Sequence, residues 1–261
     1  MLIDSNAYVG HWPFRQLKDN TCKGLLDRMN KFDIDASVVS NLNGVFYKNT
    51  QNANEELYDE IKSNKLFTNR FIPFAVINPI YNGWQHDLET CHQKMGMKGI
   101  RLHPVYHGYD LDNPFCIELV KMARDRGMVV ALSLRLVDPR PSSWLDVDKE
   151  WSLKDVLPII KAVPDAKYLI LNVSGSTALA PDEMEIFKKT DLIMDTSGRN
   201  IAELGTMLKQ FGKDKFAFGT HGPILDYRSG LLRVESLRDN EADGKTKDML
   251  RAGNIKRLVK I

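Results

Sequence analysis

The chain has 261 residues, 43% of them hydrophobic and 27% charged, and a formal net charge of +2. These values are ordinary for a globular protein long enough to bury a large core. Because the lysines and arginines form no long block, nothing in the charge favours nucleic acid or an anionic membrane as a partner. The sequence also contains neither a run of 18 apolar residues nor a basic, apolar leader, so it predicts no membrane span and no signal peptide.

Three cysteines, Cys22, Cys91 and Cys116, are widely spaced and include no CxxC pair. Their apolar, helix-like contexts predict buried free thiols rather than a disulfide or zinc framework. Free thiols are typical of a reducing compartment, so a cytoplasmic location is expected.

Short runs of β-branched or apolar residues recur along the chain, separated by segments with helical spacing. The runs lie at Leu2–Asp4, Ala36–Ser40, Phe71–Ile77, Gly99–Leu102, Met128–Leu134, Tyr168–Asn172, Leu192–Asp195 and Lys215–Gly219. Strands that alternate with helices predict an α/β fold, and eight strands are the number that closes a barrel of roughly 250 residues. We therefore predict a single (β/α)8 TIM barrel, one domain over residues 1–261. The alternative, an open doubly wound sheet, usually has a glycine-rich first turn, which residues 5–10 lack.

In such a barrel the functional groups lie at the C-terminal ends of the strands. That rule selects a ring of polar positions: Asn6, Tyr8, Asn41, Asn43, Asn78, His103, Ser133, Arg135, Asn172, Asp195 and His221. Each asparagine taken alone is also explained as a cap for the segment that follows it. Together the ring predicts a polar pocket at the barrel mouth.

Five segments resemble the amidohydrolase-related (amidohydrolase 2) barrel proteins, in the same order along the chain. They are Asn69–Pro79 and Gly99–Pro104, similar to the third and fourth strands of the family, Asp191–Ser197 and Phe218–Pro223, similar to the seventh and eighth, and Met249–Leu258, similar to its closing helix. The resemblance spans nearly the whole chain. It implies a metal-dependent-hydrolase-like barrel, in which a divalent metal, usually zinc, activates water at the mouth.

The positions that bind this metal in the resembled family carry other residues here. In strand order the matched positions hold Asn6 and Tyr8, Ser133, Asn172 or Val173, and His221. Amides, phenols and hydroxyls are poorer zinc ligands than imidazole. The resemblance therefore indicates a branch without the usual metal ligands, and we expect no cofactor. A non-standard zinc site built from other mouth histidines is the alternative.

Three local runs bring aromatic, basic and titratable side chains to the predicted mouth: 10–15, 101–110 and 135–140. In the first run, Trp12 and Phe14 either contact a ligand or plug the top of the barrel. Arginine matches the planar geometry of carboxylates and phosphates, so the arginines of these runs indicate a small anionic ligand. They are Arg15, Arg101, Arg135 and Arg140. Pairing of Arg135 or Arg140 with Asp138 is the alternative.

These residues favour a hydrolase that acts without metal on a small anionic ester, lactone or sugar acid. His221 and His103 are the predicted catalytic residues, because an imidazole can accept a proton near neutral pH. The predicted substrate-binding residues are Asn6, Tyr8, His11, Trp12, Arg15, Arg101, His107, Arg135, Asn172 and Asp195. Decarboxylation, a non-catalytic protein that binds small anions, and a structural partner with a plugged mouth are the alternatives. The sequence leaves assembly into a homo-oligomer open.

Overall fold

The computed structural model describes residues 1–137, 143–147, 149–173, 176–197 and 204–261. The strands in these ranges are β1 (Ile3–Val9), β2 (Ala36–Asn41), β3 (Phe71–Val76), β4 (Gly99–Leu102), β5 (Val129–Ser133), β6 (Lys167–Leu171), β7 (Leu192–Asp195) and β8 (Phe216–Ala217). They form one eight-stranded sheet in chain order, and each neighbouring pair is parallel. The eight predicted strand positions are confirmed.

Helices connect consecutive strands and cover the outside of the sheet. They are α1 (Cys22–Lys31), α2 (Asn43–Phe46), α3 (Thr50–Lys62), α4 (Lys65–Arg70), α5 (Trp84–Glu89), α6 (Pro104–His107), α7 (Pro114–Asp125), α8 (Leu153–Ala162), α9 (Pro181–Lys189), α10 (Leu204–Phe211), α11 (Tyr227–Glu235), α12 (Gly244–Asp248) and α13 (Asn254–Val259). Several begin at capping residues that the sequence places there. Thr21 accepts a hydrogen bond from a backbone amide of α1, and Asn113 does the same for α7.

Backbone hydrogen bonds between β1 and the segment after β8 close the barrel. The amide of Ser5 donates to the carbonyl of Phe218 at 2.9 Å, and the amide of Tyr8 donates to that of Gly222 at 2.8 Å. In return the amide of His221 donates to the carbonyl of Asn6 at 2.7 Å. The predicted (β/α)8 barrel is therefore confirmed, and the segment after β8 is held against the site side of β1.

The apolar core has two layers that follow from strand alternation. Inward-facing residues such as Phe74, Leu169 and Ile193 fill the barrel, and α13 packs Ile255 and Leu258 against its lower end. Outward-facing strand residues pack against the helices in a larger cluster, which contains all three cysteines. The predicted burial of the cysteines is confirmed.

The boundaries of the first and last strands differ from the predicted ones. β1 continues to Val9 instead of ending at Asp4, because its polar residues find partners inside the barrel. The buried Asp4 carboxylate accepts from the amides of Asn6 and Thr220, both at 2.9 Å, and from the Thr220 hydroxyl at 2.6 Å. β8 ends at Ala217, and the amide of the next residue, Phe218, donates to the carbonyl of Leu250 at 2.8 Å. Within the ranges given above, no helix is both long and apolar enough to cross a bilayer.

Candidate active site at the barrel mouth

Most of the polar ring predicted from the strand ends forms one buried cluster at the C-terminal end of the barrel. Asn41 and Asn43 instead donate to Glu56, and Asn78 accepts from the amide of Ile80, so these three lie outside the cluster. Its members are each at most 5% exposed: Asn6, Tyr8, Arg101, His103, Ser133, Arg135, Asn172, Asp195 and His221. Burying this many polar and charged groups is unfavourable unless partners satisfy them. The members that lack a hydrogen-bond partner therefore mark the place where a ligand would bind.

Asn6 lies at the centre of the cluster and joins β1 to β7 and to the segment after β8. Its Nδ2 lies 2.8 Å from Asp195 Oδ2, 3.2 Å from Ser197 Oγ and 2.9 Å from His221 Nδ1. Asp195 also accepts from the amide of Asn172 at 2.7 Å. Burial raises the pKa of Asp195, and its hydrogen bonds partly oppose that rise. This part of the cluster is satisfied within the protein.

Both ring nitrogens of His221 have hydrogen-bond partners. Its Nε2 lies 2.6 Å from the carbonyl oxygen of Leu136, which can only accept, so Nε2 carries the proton. Nδ1 then accepts from Asn6, and burial lowers the pKa of His221 to about 3. The imidazole is therefore neutral at pH 7 and has no lone pair left for a substrate proton.

Arg101 lies inside the barrel and is 0% exposed. Its guanidinium carbon lies 4.2 Å from the centre of the Tyr8 ring, a cation–π contact. The partners of Nη1 are neutral oxygens, Asn6 Oδ1 at 3.4 Å and the Ala7 carbonyl at 3.3 Å. Nε and Nη2 have no hydrogen-bond partner within the described ranges. This buried cation is thus incompletely satisfied.

His103 follows β4 and is 1% exposed. Neither of its ring nitrogens has a partner among the described residues. Its ring centroid lies 6.4 Å from that of Tyr8 and 6.0 Å from that of His107. Burial lowers the pKa of His103 well below its usual value, and the nearby His107 and Arg101 lower it further. In contrast to His221, this neutral imidazole has a lone pair that no described residue engages.

Arg135 and Asn172 form the β5–β6 side of the cluster. Arg135 Nη1 donates to Glu150 Oε1 at 2.7 Å, whereas its Nε and Nη2 are unpartnered in the described part of the chain. Asn172 Nδ2 donates to the Arg135 carbonyl at 3.1 Å. Nearby, the hydroxyl groups of Tyr8 and Ser133 lie 3.2 Å apart. The mouth therefore contains a second guanidinium with two nitrogens, Nε and Nη2, that no described residue engages.

An aromatic plug closes the mouth above these groups. Trp12 is 5% exposed, and its ring is edge-on to those of Phe14, Phe46 and Tyr106, with centroids 5.1–5.8 Å apart. It packs in one apolar cluster with Tyr8. Of the two roles predicted for Trp12, the plug is the one that the packing supports.

Three predicted contact residues lie outside the buried cluster. His11 is exposed, and the side chain of Asn43 accepts from its amide at 2.9 Å. Arg15 is exposed and donates to the Ile224 carbonyl at 2.7 Å. His107 lies behind His103, with Nε2 3.1 Å from the Gly44 carbonyl, and burial lowers its pKa to about 4. Arg140 and Asp138 lie outside the described residues.

Two carboxylates of the site are absent from the predicted set. Asp4, whose pKa burial raises to about 7, precedes Asn6 and Tyr8 by the two-residue period of a strand, and that alternation could have revealed it. Glu150, the partner of Arg135, follows β5 by many residues, and no local pattern in the sequence marks it.

No protein-family model matches the chain, and no curated protein is detectably similar to it in sequence. Solved structures share its fold. One is a proposed amidohydrolase from Staphylococcus aureus, with TM-score 0.73 and 16% identity over 100% of this chain and 99% of the other. Another is a 2,6-dihydroxybenzoate decarboxylase from Rhizobium, with TM-score 0.72 and 13% identity over 99% and 98%. A third is a 5-carboxyvanillate decarboxylase from Novosphingobium aromaticivorans, with TM-score 0.73 and 12% identity over 100% and 97%. The predicted resemblance to amidohydrolase-related barrels is therefore confirmed for the fold.

The prediction that no cofactor is used is wrong for barrels of this kind. The Novosphingobium decarboxylase was crystallised with manganese and a nitrobenzoic acid, and a dihydroxybenzoic acid decarboxylase from Polaromonas with manganese and 2-nitroresorcinol. Both of these neighbours therefore hold a divalent cation.

The residues at this mouth do not match the donor set that manganese prefers. Within the described ranges, no three His, Cys, Asp or Glu side chains come together in a way that could hold a metal ion. Asp195 and His221 are separated by Asn6 and engaged with it, and the Arg101 cation lies beside them. No chemical step is therefore assigned to a metal ion.

Proposed function

We propose that the barrel mouth binds a small carboxylate-bearing molecule and that the protein hydrolyses an ester or lactone bond in it. The supporting observation is the Arg101 guanidinium, which is 0% exposed and has two nitrogens, Nε and Nη2, without partners among the described residues. A buried charge with unpaired donors is costly, and a bound anion would remove that cost. A carboxylate has the planar pair of acceptors that the Nε and Nη2 donors of an arginine match.

The proposed chemistry uses the neutral His103 imidazole as the general base. Its free nitrogen takes a proton from a water molecule while the water oxygen attacks the carbonyl carbon. The C–O bond to the leaving oxygen then breaks, and that oxygen takes the proton from His103. The Nε and Nη2 donors of Arg135, which have no partner among the described residues, are suited to stabilise the negative charge on the carbonyl oxygen.

His221 remains a predicted catalytic residue, but its hydrogen bonds favour a structural role. Its two nitrogens are committed to Leu136 and Asn6, and it holds the segment after β8 against β1. A base must have a lone pair within reach of the substrate proton. We therefore assign the base to His103.

A protein that binds small anions without turnover is the second candidate. The aromatic plug favours it, because Trp12 and its three aromatic neighbours cover the cluster and would have to move for substrate to enter. Both candidate functions predict that a small anion binds at the mouth, whereas only the enzyme is expected to convert it.

The test combines turnover with ligand-dependent stability. Small esters, lactones and sugar acids are assayed together with aromatic hydroxy acids, since several structural neighbours are decarboxylases. Every assay is run with and without added Mn²⁺. Carboxylates that bind should raise Tm, because a ligand at about 100 times its Kd adds roughly 2.7 kcal/mol to the free energy of unfolding. Binding without turnover across the panel would favour the second candidate.

Arg101→Met is the decisive variant for the binding step. The free protein should be as stable as the parent or more so, because an apolar side chain replaces an incompletely satisfied buried charge. The Tm rise with the sugar acids and aromatic hydroxy acids of the panel should disappear. Arg28→Met is the matched control, since Arg28 belongs to the outer helix α1, is not part of the buried cluster, and also stacks on a tyrosine ring, 4.7 Å from the centroid of Tyr227. A full carboxylate response in Arg101→Met would contradict the proposal.

A further inference from the structure

A hollow of about 530 Å³ lies at the end of the barrel opposite the mouth, where β1, β2 and β3 begin. Its wall is mostly apolar and includes Ile61, Phe71, Ile72 and Met95. The first three of these are at most 8% exposed, so the wall is a fixed part of the core. The volume lies within the range typical of sites for small organic ligands.

The charged side chains that line this hollow are all cationic. They are Lys62, Lys98 and Lys256, and no Asp or Glu side chain is among the described residues that line it. An adjoining hollow of about 310 Å³ shares Lys98, adds Lys260 and Arg126, and is likewise lined by no described carboxylate side chain. Arg126 is paired with Glu89 at 2.7 Å, so the lysines are the cations that an anionic ligand would meet in the two hollows.

We propose that this hollow binds a medium-chain aliphatic carboxylate. The alkyl chain would lie on the apolar wall, where burial of methylene groups favours binding. The carboxylate would lie at the rim near Lys98 and Lys256, whose flexible stems and point charges suit an anion that is partly hydrated. This site is separate from the mouth, and its existence does not depend on the proposed reaction.

Decanoate is the probe, and binding is measured as a rise in Tm and by titration calorimetry below its micelle concentration. Decanol has the same chain without the charge, and acetate has the charge without the chain; both should bind more weakly. Lys98→Gln with Lys256→Gln should weaken decanoate about fivefold or more, the upper scale of one partly exposed ion pair. Lys154→Gln, an exposed lysine of α8, should leave decanoate affinity unchanged.

Two further variants locate the bound chain. Met95→Trp fills the hollow and should abolish binding, and Thr68→Tyr does so from another side if the first variant is unstable. Arg101→Met should bind decanoate as the parent does, because Arg101 lies at the other end of the barrel. Equal binding of decanol and decanoate, or binding that survives filling of the hollow or is lost in Arg101→Met, would overturn the proposal.

Discussion

Two buried histidines at the mouth, His103 and His221, differ in what their ring nitrogens contact. His221 donates to the Leu136 carbonyl and accepts from Asn6, while neither ring nitrogen of His103 has a hydrogen-bond partner within the described ranges. Burial lowers the pKa of both, so both are neutral at pH 7. Their hydrogen bonds, rather than their charge, therefore separate a structural imidazole from one available to a ligand.

His103→Gln should lower kcat on a confirmed substrate by about 10²-fold or more, the usual scale for a general base. The amide keeps polar atoms at the site but cannot take the proton at neutral pH. Because the pKa of His103 lies well below its usual value, its own titration should not lower kcat/KM of the parent protein between pH 6.5 and 8, where the carboxyl of Asp4, with a pKa of about 7, does titrate. An unchanged kcat in the variant would count against His103 as the base.

His221→Asn should instead lower the free energy of unfolding. Asparagine tolerates the left-handed backbone at this position, where φ is 57°, so the backbone adds little strain. The shorter side chain cannot satisfy both the Leu136 carbonyl and Asn6, and a lost buried partner costs about 1–3 kcal/mol. Urea unfolding measures the change. If stability is unaffected while kcat falls about 10²-fold, His221 is catalytic after all.

At the scale of elements, the segment 143–147 contacts α6 at the mouth through a side-chain hydrogen bond. The Tyr106 hydroxyl at the end of α6 donates to Asp146 Oδ1 at 2.9 Å and so holds the segment 143–147 over this end of the barrel. Trp144 in this segment is 90% exposed, so little apolar packing anchors it. Segments with few buried contacts open more readily than core elements do.

Tyr106→Phe should speed entry of a carboxylate ligand with little loss of stability. The variant removes the bond to Asp146 but keeps the ring that packs on Trp12. Association measured by stopped-flow fluorescence should become faster, and the free energy of unfolding should change by about 1 kcal/mol at most, the typical net value of one hydrogen bond. Tyr47→Phe is the control, since it removes a hydroxyl–carboxylate bond to Glu56. Equal acceleration in both variants would exclude a specific role for the bond to Asp146.

For the molecule as a whole, the barrel and its ring of site residues could be predicted because both depend on regular features of the sequence. Strand composition and spacing indicated eight strands, and the strand-end rule selected residues that do converge. What could not be predicted depends on contacts between distant segments. The carbonyl that engages His221 belongs to Leu136, 85 residues away, and no local pattern reports it. The same holds for the pairing of Arg135 with Glu150.

Buried ionisable groups also set the response of the whole fold to pH. Burial lowers the pKa of His221 to about 3 and that of His107 to about 4 in the folded protein. As pH falls below 6.5, these two imidazoles are therefore protonated in the unfolded chain before they are protonated in the folded protein. Their contribution to stability is complete above pH 6.5 and is lost as pH falls toward these values. Asp4, whose pKa burial raises to about 7, acts in the opposite direction between pH 4 and 7. Because His103 adds to the effect of the other two imidazoles, we expect a net loss of stability in acid.

His107→Gln should reduce this acid sensitivity. The amide can still donate to the Gly44 carbonyl, which lies 3.1 Å from His107 Nε2, but it does not titrate. A pKa that falls from 6.5 to about 4 on folding corresponds to as much as about 3 kcal/mol of stability between neutral and acid pH. Urea unfolding at pH 7.5 and pH 4.5 should therefore show a smaller difference for the variant than for the parent protein. His86→Gln, at an exposed position of α5, should leave that difference as it is in the parent. An equal difference in all three proteins would mean that His107 is protonated as readily in the folded state as in the unfolded chain.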